Sequence, residues 1–236
     1  MKKGKLIVID GADGSGKATQ VTLLIKNLKK AGYKVKVEDF PQYGKFSAKA
    51  AEDYLNGLYG SSAELGPYIP STFYAIDRFA ASGRIRDNLK KGCIVVSNRY
   101  VVASMGHQGG KIQNKEKRDK YFKWLFDLEY NFYGIPRPDL NIILNMPAKV
   151  AQKLVDRKAR RSYTNKKRDL HEADLSHLKA AERTYLEISK KFKYSLVQCY
   201  EHGKILVQVK GGGVQRNQIA TLKGDVDREK ADGGLF

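Results

Sequence analysis

The stretch "KLIVIDGADGSGKATQ" restricts this chain more than any other. A short β-branched run ends in a turn carrying Gly11, Gly14 and Gly16, and after Lys17 the apolar residues Val21, Leu24, Ile25 and Leu28 recur at helical spacing. Strand, glycine turn and helix in this order make a phosphate cradle. Glycines let backbone N–H groups converge on phosphate oxygens without Cβ obstruction, the helix N-terminus adds partial positive charge, and Lys17 reaches the outer phosphates. The nucleotide is therefore expected on Gly11, Ala12, Asp13, Gly14, Ser15, Gly16, Lys17, Ala18 and Thr19. One position departs from the pattern: Ala18 stands where a Ser or Thr hydroxyl usually faces Mg²⁺, with Thr19 next to it.

The rest of the chain reads as the remainder of such a domain. "YKVKVEDF" alternates like a strand before Pro41, and "CIVVSN" and "DLNIILNM" are near-continuous apolar runs of the kind covered on both faces in a parallel sheet. "FSAKAAEDYLNGLYG" and "IPSTFYAIDRFAASGRIRDNLKKG" are predicted helices, each ending at glycine. Helices are also expected from Ala148 to Lys158 and from His171 to about Phe192, with "YSLVQCY" and "KILVQV" as two last strands. The expectation is an α/β fold of the P-loop NTPase type: a doubly wound parallel sheet of about five strands flanked by helices, with ligands beyond the strands' carboxyl ends. The 236 residues suit one domain, 1–209, followed by a Gly-rich, charged stretch, 210–236, that reads as a mobile or extraneous tail.

Composition excludes several classes. Two cysteines, neither in a metal-type pair, argue against a disulfide scaffold or zinc site and suit a reducing cytoplasm. No apolar run has the length of a signal core or a membrane span, so a soluble intracellular protein without a membrane partner is expected. A net charge of +19 implies affinity for polyanions without saying which.

Four blocks, "DGADGSGKATQ", "FPQYG" at 40–44, "FYAIDR" at 73–78 and "SNRYVVASMGHQGG" at 97–110, resemble thymidylate kinases in their order and spacing, and "RKARRSYTNKKRDLHE" resembles the lid of that family. The resemblance implies transfer of the γ-phosphoryl group of ATP to dTMP, with Mg²⁺ as cofactor and a homodimer as the common assembly. It places Arg99, Phe40 and Pro41 at the dTMP phosphate, Tyr74 and Arg78 at the base, and Ser104, His107 and Gln108 at the base edge and sugar. Tyr74 stands where Phe is usual, and His107 where an aromatic residue usually crowds a ribose 2′-hydroxyl. Asp13 is implied to hold Mg²⁺ and orient the acceptor phosphate, because the usual "DRY" is Asn98, Arg99, Tyr100 here. In the lid, about 157–170, Arg157, Arg160 and Arg161 are candidate transition-state cations beside the catalytic Lys17, Asp13 and Arg99.

The chemistry is consistent with those assignments. Bringing two polyanions together needs cations from several loops and no covalent nucleophile. Tyr74 and Arg78, four apart on a helix, share a face suited to stacking on a pyrimidine and donating to its carbonyl. Two other readings remain open: another nucleoside monophosphate or deoxynucleoside kinase on the same fold, and a basic nucleic-acid-binding protein with a vestigial nucleotide loop. No recognised nucleic-acid module favours the second.

Overall fold

The computed structural model describes residues 3–156, 175–202 and 204–206. The lid at 157–170 with Arg157, Arg160 and Arg161, and the tail at 210–236, lie outside the described residues.

Five strands, β1 (Lys5–Gly11), β2 (Val35–Asp39), β3 (Ile94–Asn98), β4 (Leu140–Asn145) and β5 (Ser195–Gln198), form one sheet in the order β2-β3-β1-β4-β5 with every neighbouring pair parallel. The apolar run of β1 divides by the period of two. Leu6 and Val8 face a core shared with Ala81, Ile85, Val101, Met105, Tyr121 and Tyr185, whereas Ile7 and Ile9 face one with Val21 and Ala151. Helices therefore cover both faces. On the first lie α4 (Tyr68–Lys90), α5 (Val101–His107), α6 (Lys115–Phe126) and α8 (Leu175–Lys191); on the second lie α1 (Lys17–Lys30) and α7 (Ala148–Asp156).

The strands β1 and β3 are adjacent, yet the helices that follow them, α1 and α5, cover opposite faces of the sheet. Their connecting loops part at the carboxyl ends and open a crevice, the position at which α/β sheets take ligands.

One expectation is corrected. "FSAKAAEDYLNGLYG" is not one helix: a 3₁₀ turn (Phe46–Ala48) leads into α2 (Lys49–Leu55), which stops before Gly57 and Gly60, both at positive φ. Ser61 then opens the short α3 (Ser62–Leu65) with a capping box to Glu64. Of the expected strand "KILVQV", Lys204–Ile205 (β7) is strand among the described residues, paired antiparallel with Tyr200–Glu201 (β6) in a sheet of its own. The helical region formed by α6 continuing into the π-helical Asp127–Phe132 has no counterpart in the sequence reading.

Candidate active site

The glycine turn is shaped by what surrounds it. Gly11 (φ 139°) and Gly14 (φ 81°) adopt conformations that side chains rarely take, and a Cβ would lie 2.5 Å from Leu144 O at Gly11 and 2.2 Å from Ala151 O at Gly14. The turn is thus clamped between β4 and α7. Helix α1 starts at Lys17 with no side-chain cap at Gly16, so its N-terminal N–H groups open onto the turn. Lys17 is buried and its Nζ donates to Gly11 O at 3.0 Å and Ala12 O at 2.8 Å, within the cradle itself. The Ser15 hydroxyl is buried without a partner, whereas Ala18 and Thr19 are exposed on the first turn of α1.

Arg99 arrives from the neighbouring strand. Its N–H donates to Ile9 O at 2.9 Å, extending the pairing of β3 with β1, and then its φ of 67° turns the chain sharply. Left-handed backbone at a long side chain costs on the order of 1–3 kcal/mol and is kept where the surroundings impose it. The result is that the guanidinium lies across the glycine turn: Nη2 donates to Asp13 Oδ1, and Nη1 lies 3.2 Å from His107 Nε2. His107 ends the wholly buried α5, and its pKa is held well below the usual range, first by burial and then by Arg99, His177 and Lys17, against the pull of Asp13. The structure therefore brings Asp13, Lys17, Arg99 and His107 together.

Asp10, at the end of β1, is fully buried, and among the described residues no side chain donates to its carboxylate. Burial pushes its pKa up to about 6, although Arg99, Lys17, Arg78 and the Tyr100 backbone N–H pull it down. At the neighbouring strand end, Asn98 Nδ2 donates to Asp39 Oδ1 at 2.9 Å while Asn98 Oδ1 is buried without a partner. Phe40 is buried against Tyr100, with ring centroids 5.7 Å apart, and Pro41 is buried beside it.

The proposed base pocket is built differently. Arg78 is 2% exposed and grips Glu129 with Nε to Oε2 at 2.6 Å and Nη2 to Oε1 at 2.7 Å. It also donates from Nη1 to Tyr100 O at 3.2 Å and from Nη2 to Ser104 Oγ at 2.9 Å. These bonds engage four of the five guanidinium N–H groups. Ser104 is thus beside Arg78, and Gln108 is buried just beyond α5. Tyr74, half-buried, meets the Tyr54 ring edge-on at 6.4 Å.

Some residues of this neighbourhood carried no signal in the sequence. Glu129 lies in the π-helical stretch and holds Arg78. Lys111, whose pKa burial pushes down to about 8, donates to Tyr54 OH, Ser62 O and Gly66 O and so fixes the ring against which Tyr74 rests. His177 and Tyr185 reach the same region from α8. Only distance in the sequence concealed these: each contacts a partner 45 or more residues away or sits in a segment without apolar period.

A thymidylate kinase family model matches residues 9–205. The thymidylate kinase of Mycobacterium tuberculosis is 29% identical over 185 residues, covering 78% of this chain and 85% of its own length. A probable thymidylate kinase of Thermococcus onnurineus is 30% identical over 190 residues, covering 79% of this chain and 84% of its own. In three dimensions the thymidylate kinase of Candida albicans superposes with a TM-score of 0.63 at 20% identity, covering 99% of this chain and 95% of that one, which is a likeness of fold.

Proposed function

The chain belongs to the thymidylate kinase family, and from that premise we propose how its site transfers the γ-phosphoryl group of ATP to dTMP, giving ADP and dTDP. The observation that carries the reading is the meeting of Arg99, from the end of β3, with the glycine turn that follows β1. ATP phosphates take the backbone N–H groups of residues 11–19, and Lys17 exchanges the carbonyls of Gly11 and Ala12 for the outer phosphates. The dTMP phosphate enters beside Phe40 and Pro41 and takes the Arg99 guanidinium from Asp13. A phosphate oxygen of dTMP then attacks the γ-phosphorus, ADP leaves, and Lys17 and Arg99 stabilise the charge on the equatorial oxygens. Arg157, Arg160 and Arg161 are proposed to add cations from the lid.

Mg²⁺ fits this site as a companion of the nucleotide. The Asp13 carboxylate, on the glycine turn beside the phosphate cradle, is a hard oxygen donor of the kind that suits a cation bound chiefly through phosphates. Asp13 is the residue that would hold it, and the ion when bound supplies neutralising charge at the β- and γ-oxygens.

The base is read by Tyr74, which stacks on it, and by the remaining N–H on Arg78 Nη1, which donates to the thymine O4 carbonyl. Cytosine presents a donor there, a mismatch worth about 1–3 kcal/mol. Ser104, His107 and Gln108 line the base edge and sugar. The Candida albicans structure is described as that of an enzyme with broad substrate specificity, so the decisive experiment measures ADP formation across a panel of monophosphates. dTMP should be best; equal activity on dCMP and dTMP would remove Arg78 from base reading.

We also propose a homodimer through α4, whose Ile69, Ile76 and Phe79 are each nearly half exposed, while α5 is buried within the chain and offers no free face. A monomeric mass at micromolar concentration would refute it. A cytoplasmic setting suits the two free cysteines, Cys93 and Cys199, both buried. No helix among the described residues is long and apolar enough to cross a membrane. Residues 1–209 are proposed as the kinase domain, with 210–236 dispensable for it. The basic charge is proposed to serve nucleotides, with no specific nucleic-acid partner.

A further inference from the structure

The turn at Phe40 and Pro41 is tied to the helix that carries Tyr74 and Arg78 by side chains that touch neither substrate in the reading above. Among the described residues β2 is the edge strand of the sheet, paired with β3, and the chain leaves it through Phe40, Pro41 and Gln42. An edge exit has no second strand beside it, so side chains must hold it. Asp77 and Arg84 stand seven apart on α4, two turns along one face, and both reach this segment. Arg84 grips Glu38 near the end of β2, with Nε 2.9 Å from Oε1 and Nη2 2.6 Å from Oε2. Asp77, 1% exposed, takes the turn itself. Its Oδ2 accepts the backbone N–H of Gln42 at 2.8 Å, and its Oδ1 accepts Gln42 Nε2 at 3.0 Å and Ser47 Oγ at 2.6 Å. The buried Gln42 amide fits one way round: Oε1 receives Arg84 Nη2 at 2.9 Å and Lys45 Nζ at 2.6 Å, while Nε2 also donates to the Asp77 carbonyl at 3.1 Å. Flipped, it would set N–H against N–H and oxygen against oxygen.

We infer that Asp77 is a positioning residue for the acceptor: its carboxylate fixes the Phe40–Pro41 turn, the phosphate end of the dTMP site, at a set distance from Tyr74 and Arg78, the base end, on the same helix. The inference rests on that reading of the two ends. Arg78, the next residue of α4, is anchored separately by Glu129. Without the Asp77 carboxylate the donors at Gln42 N and Ser47 Oγ lose their acceptor, and the turn is released while the base wall keeps its own pair. The acceptor phosphate then sits out of line with the γ-phosphorus although the base is still gripped.

The test joins amide exchange and kinetics on the full-length protein. In the wild type without nucleotide the Gln42 N–H should be protected from exchange, and Asp77→Ala should accelerate it at least tenfold. The same variant should raise KM for dTMP about tenfold, with KM for ATP changed by less than about twofold. Thymidine, which has the base and sugar but no phosphate, should inhibit competitively against dTMP with a constant changed by less than about twofold. Asp77→Asn keeps an oxygen for the Gln42 N–H but turns an amide nitrogen towards Gln42 Nε2. It should show the same pattern at about threefold, and it decides the matter where Asp77→Ala does not fold. Unaccelerated exchange at Gln42 would overturn the inference. So would an unchanged KM for dTMP, KM values for dTMP and ATP that rise together, or a thymidine constant that rises with KM for dTMP, since the last would mean that the whole helix has shifted. A wild type with a protected Gln42 N–H but no dTMP phosphorylation would instead overturn the functional reading, and with it the acceptor role of Asp77, because exchange needs no turnover.

Discussion

The two ends of the proposed dTMP site handle charge in opposite ways. Around the glycine turn, Asp10, Ser15 and Asn98 bury polar oxygens that meet no side-chain donor among the described residues. In the wall formed by α4 and the π-helical stretch, Arg78 and Glu129 bury their charges too, but both Glu129 oxygens are filled and Arg78 also reaches Tyr100 and Ser104. Burying a polar group without a partner costs stability, and proteins keep such groups where a ligand completes them. The turn is therefore arranged for something that arrives, whereas the wall has its charges paired before the substrate does and keeps one Arg78 N–H for it. Two arginines with the same chemistry are accordingly proposed to take different roles, Arg99 exchangeable and Arg78 fixed.

That contrast is broken or sharpened first by Arg99→Ala. Removing a cation that follows the transferring phosphoryl group should lower kcat/KM for dTMP by about 10²–10³-fold, while the melting temperature stays within a few degrees of wild type. The left-handed φ at this position is no better suited to Ala, so no compensating gain is expected. A variant that keeps its rate, or that loses its fold along with it, would show that Arg99 belongs with the structural charges.

Arg78→Ala is the opposite experiment. It leaves the Glu129 carboxylate, 0% exposed, without its partner, a change that typically costs about 3–5 kcal/mol. Urea unfolding should show this loss, and Arg78→Met combined with Glu129→Leu should recover much of it by removing both charges. KM for dTMP in Arg78→Ala should rise more than KM for ATP. Stability equal to wild type would mean that the pair is not what holds the wall.

The third experiment probes an incomplete group. The Asp10 carboxyl titrates at about 6 in the folded chain because burial disfavours its charge, against an ordinary 3.8. The folded state thus binds this proton more tightly than the unfolded state does, so the group's effect on stability is nil below the ordinary value and grows unfavourable as pH rises from about 4 to about 6. At 1.36 kcal/mol per unit, the penalty above that window is on the order of 3 kcal/mol. Asp10→Asn should therefore be more stable than wild type at pH 7, with the difference shrinking towards pH 4. A difference that does not vary with pH would mean that Asp10 is compensated in the folded chain.

Which of these groups could be read from the sequence follows from how they are held. The turn was legible because strand, glycines, Lys17 and helix are consecutive, and the two-residue alternation of β1 is local as well. Tyr74 and Arg78 were legible as neighbours on one helix face. Glu129 was not, since it lies 51 residues from Arg78 in a π-helical stretch whose spacing matches no regular apolar period. His177 was hidden for the same reason, 70 residues from His107. The break between α2 and α3 was missed because glycines at positive φ and a Ser61 capping box overrode an apparently continuous helical pattern. Groups that wait for a ligand sit in local motifs here, and groups that satisfy each other come from distant segments.

The smallest effect belongs to Ala18, where the turn departs from its own pattern. The position is exposed on the first turn of α1, and that helix lacks a side-chain cap, so the added methyl and hydroxyl of Ala18→Thr meet open space. On the proposal that Mg²⁺ is held by the nucleotide phosphates and Asp13, a second oxygen should lower the half-maximal Mg²⁺ concentration by at most about threefold, roughly 0.6 kcal/mol, and leave kcat nearly unchanged. Asp13→Asn gives the reference in the other direction. It removes the charged ligand, and the Asn98 amide has no charge to replace it, so the midpoint should rise several-fold beyond whatever is lost in kcat. Titrating Mg²⁺ at fixed ATP and dTMP for the three proteins separates the cases. A midpoint that falls tenfold or more in Ala18→Thr would mean that the wild-type turn is a crippled metal site rather than one that delegates the ion to its substrates. An unchanged midpoint in Asp13→Asn would leave Asp13 as the partner of Arg99 alone and move it from the metal to the acceptor side of the comparison.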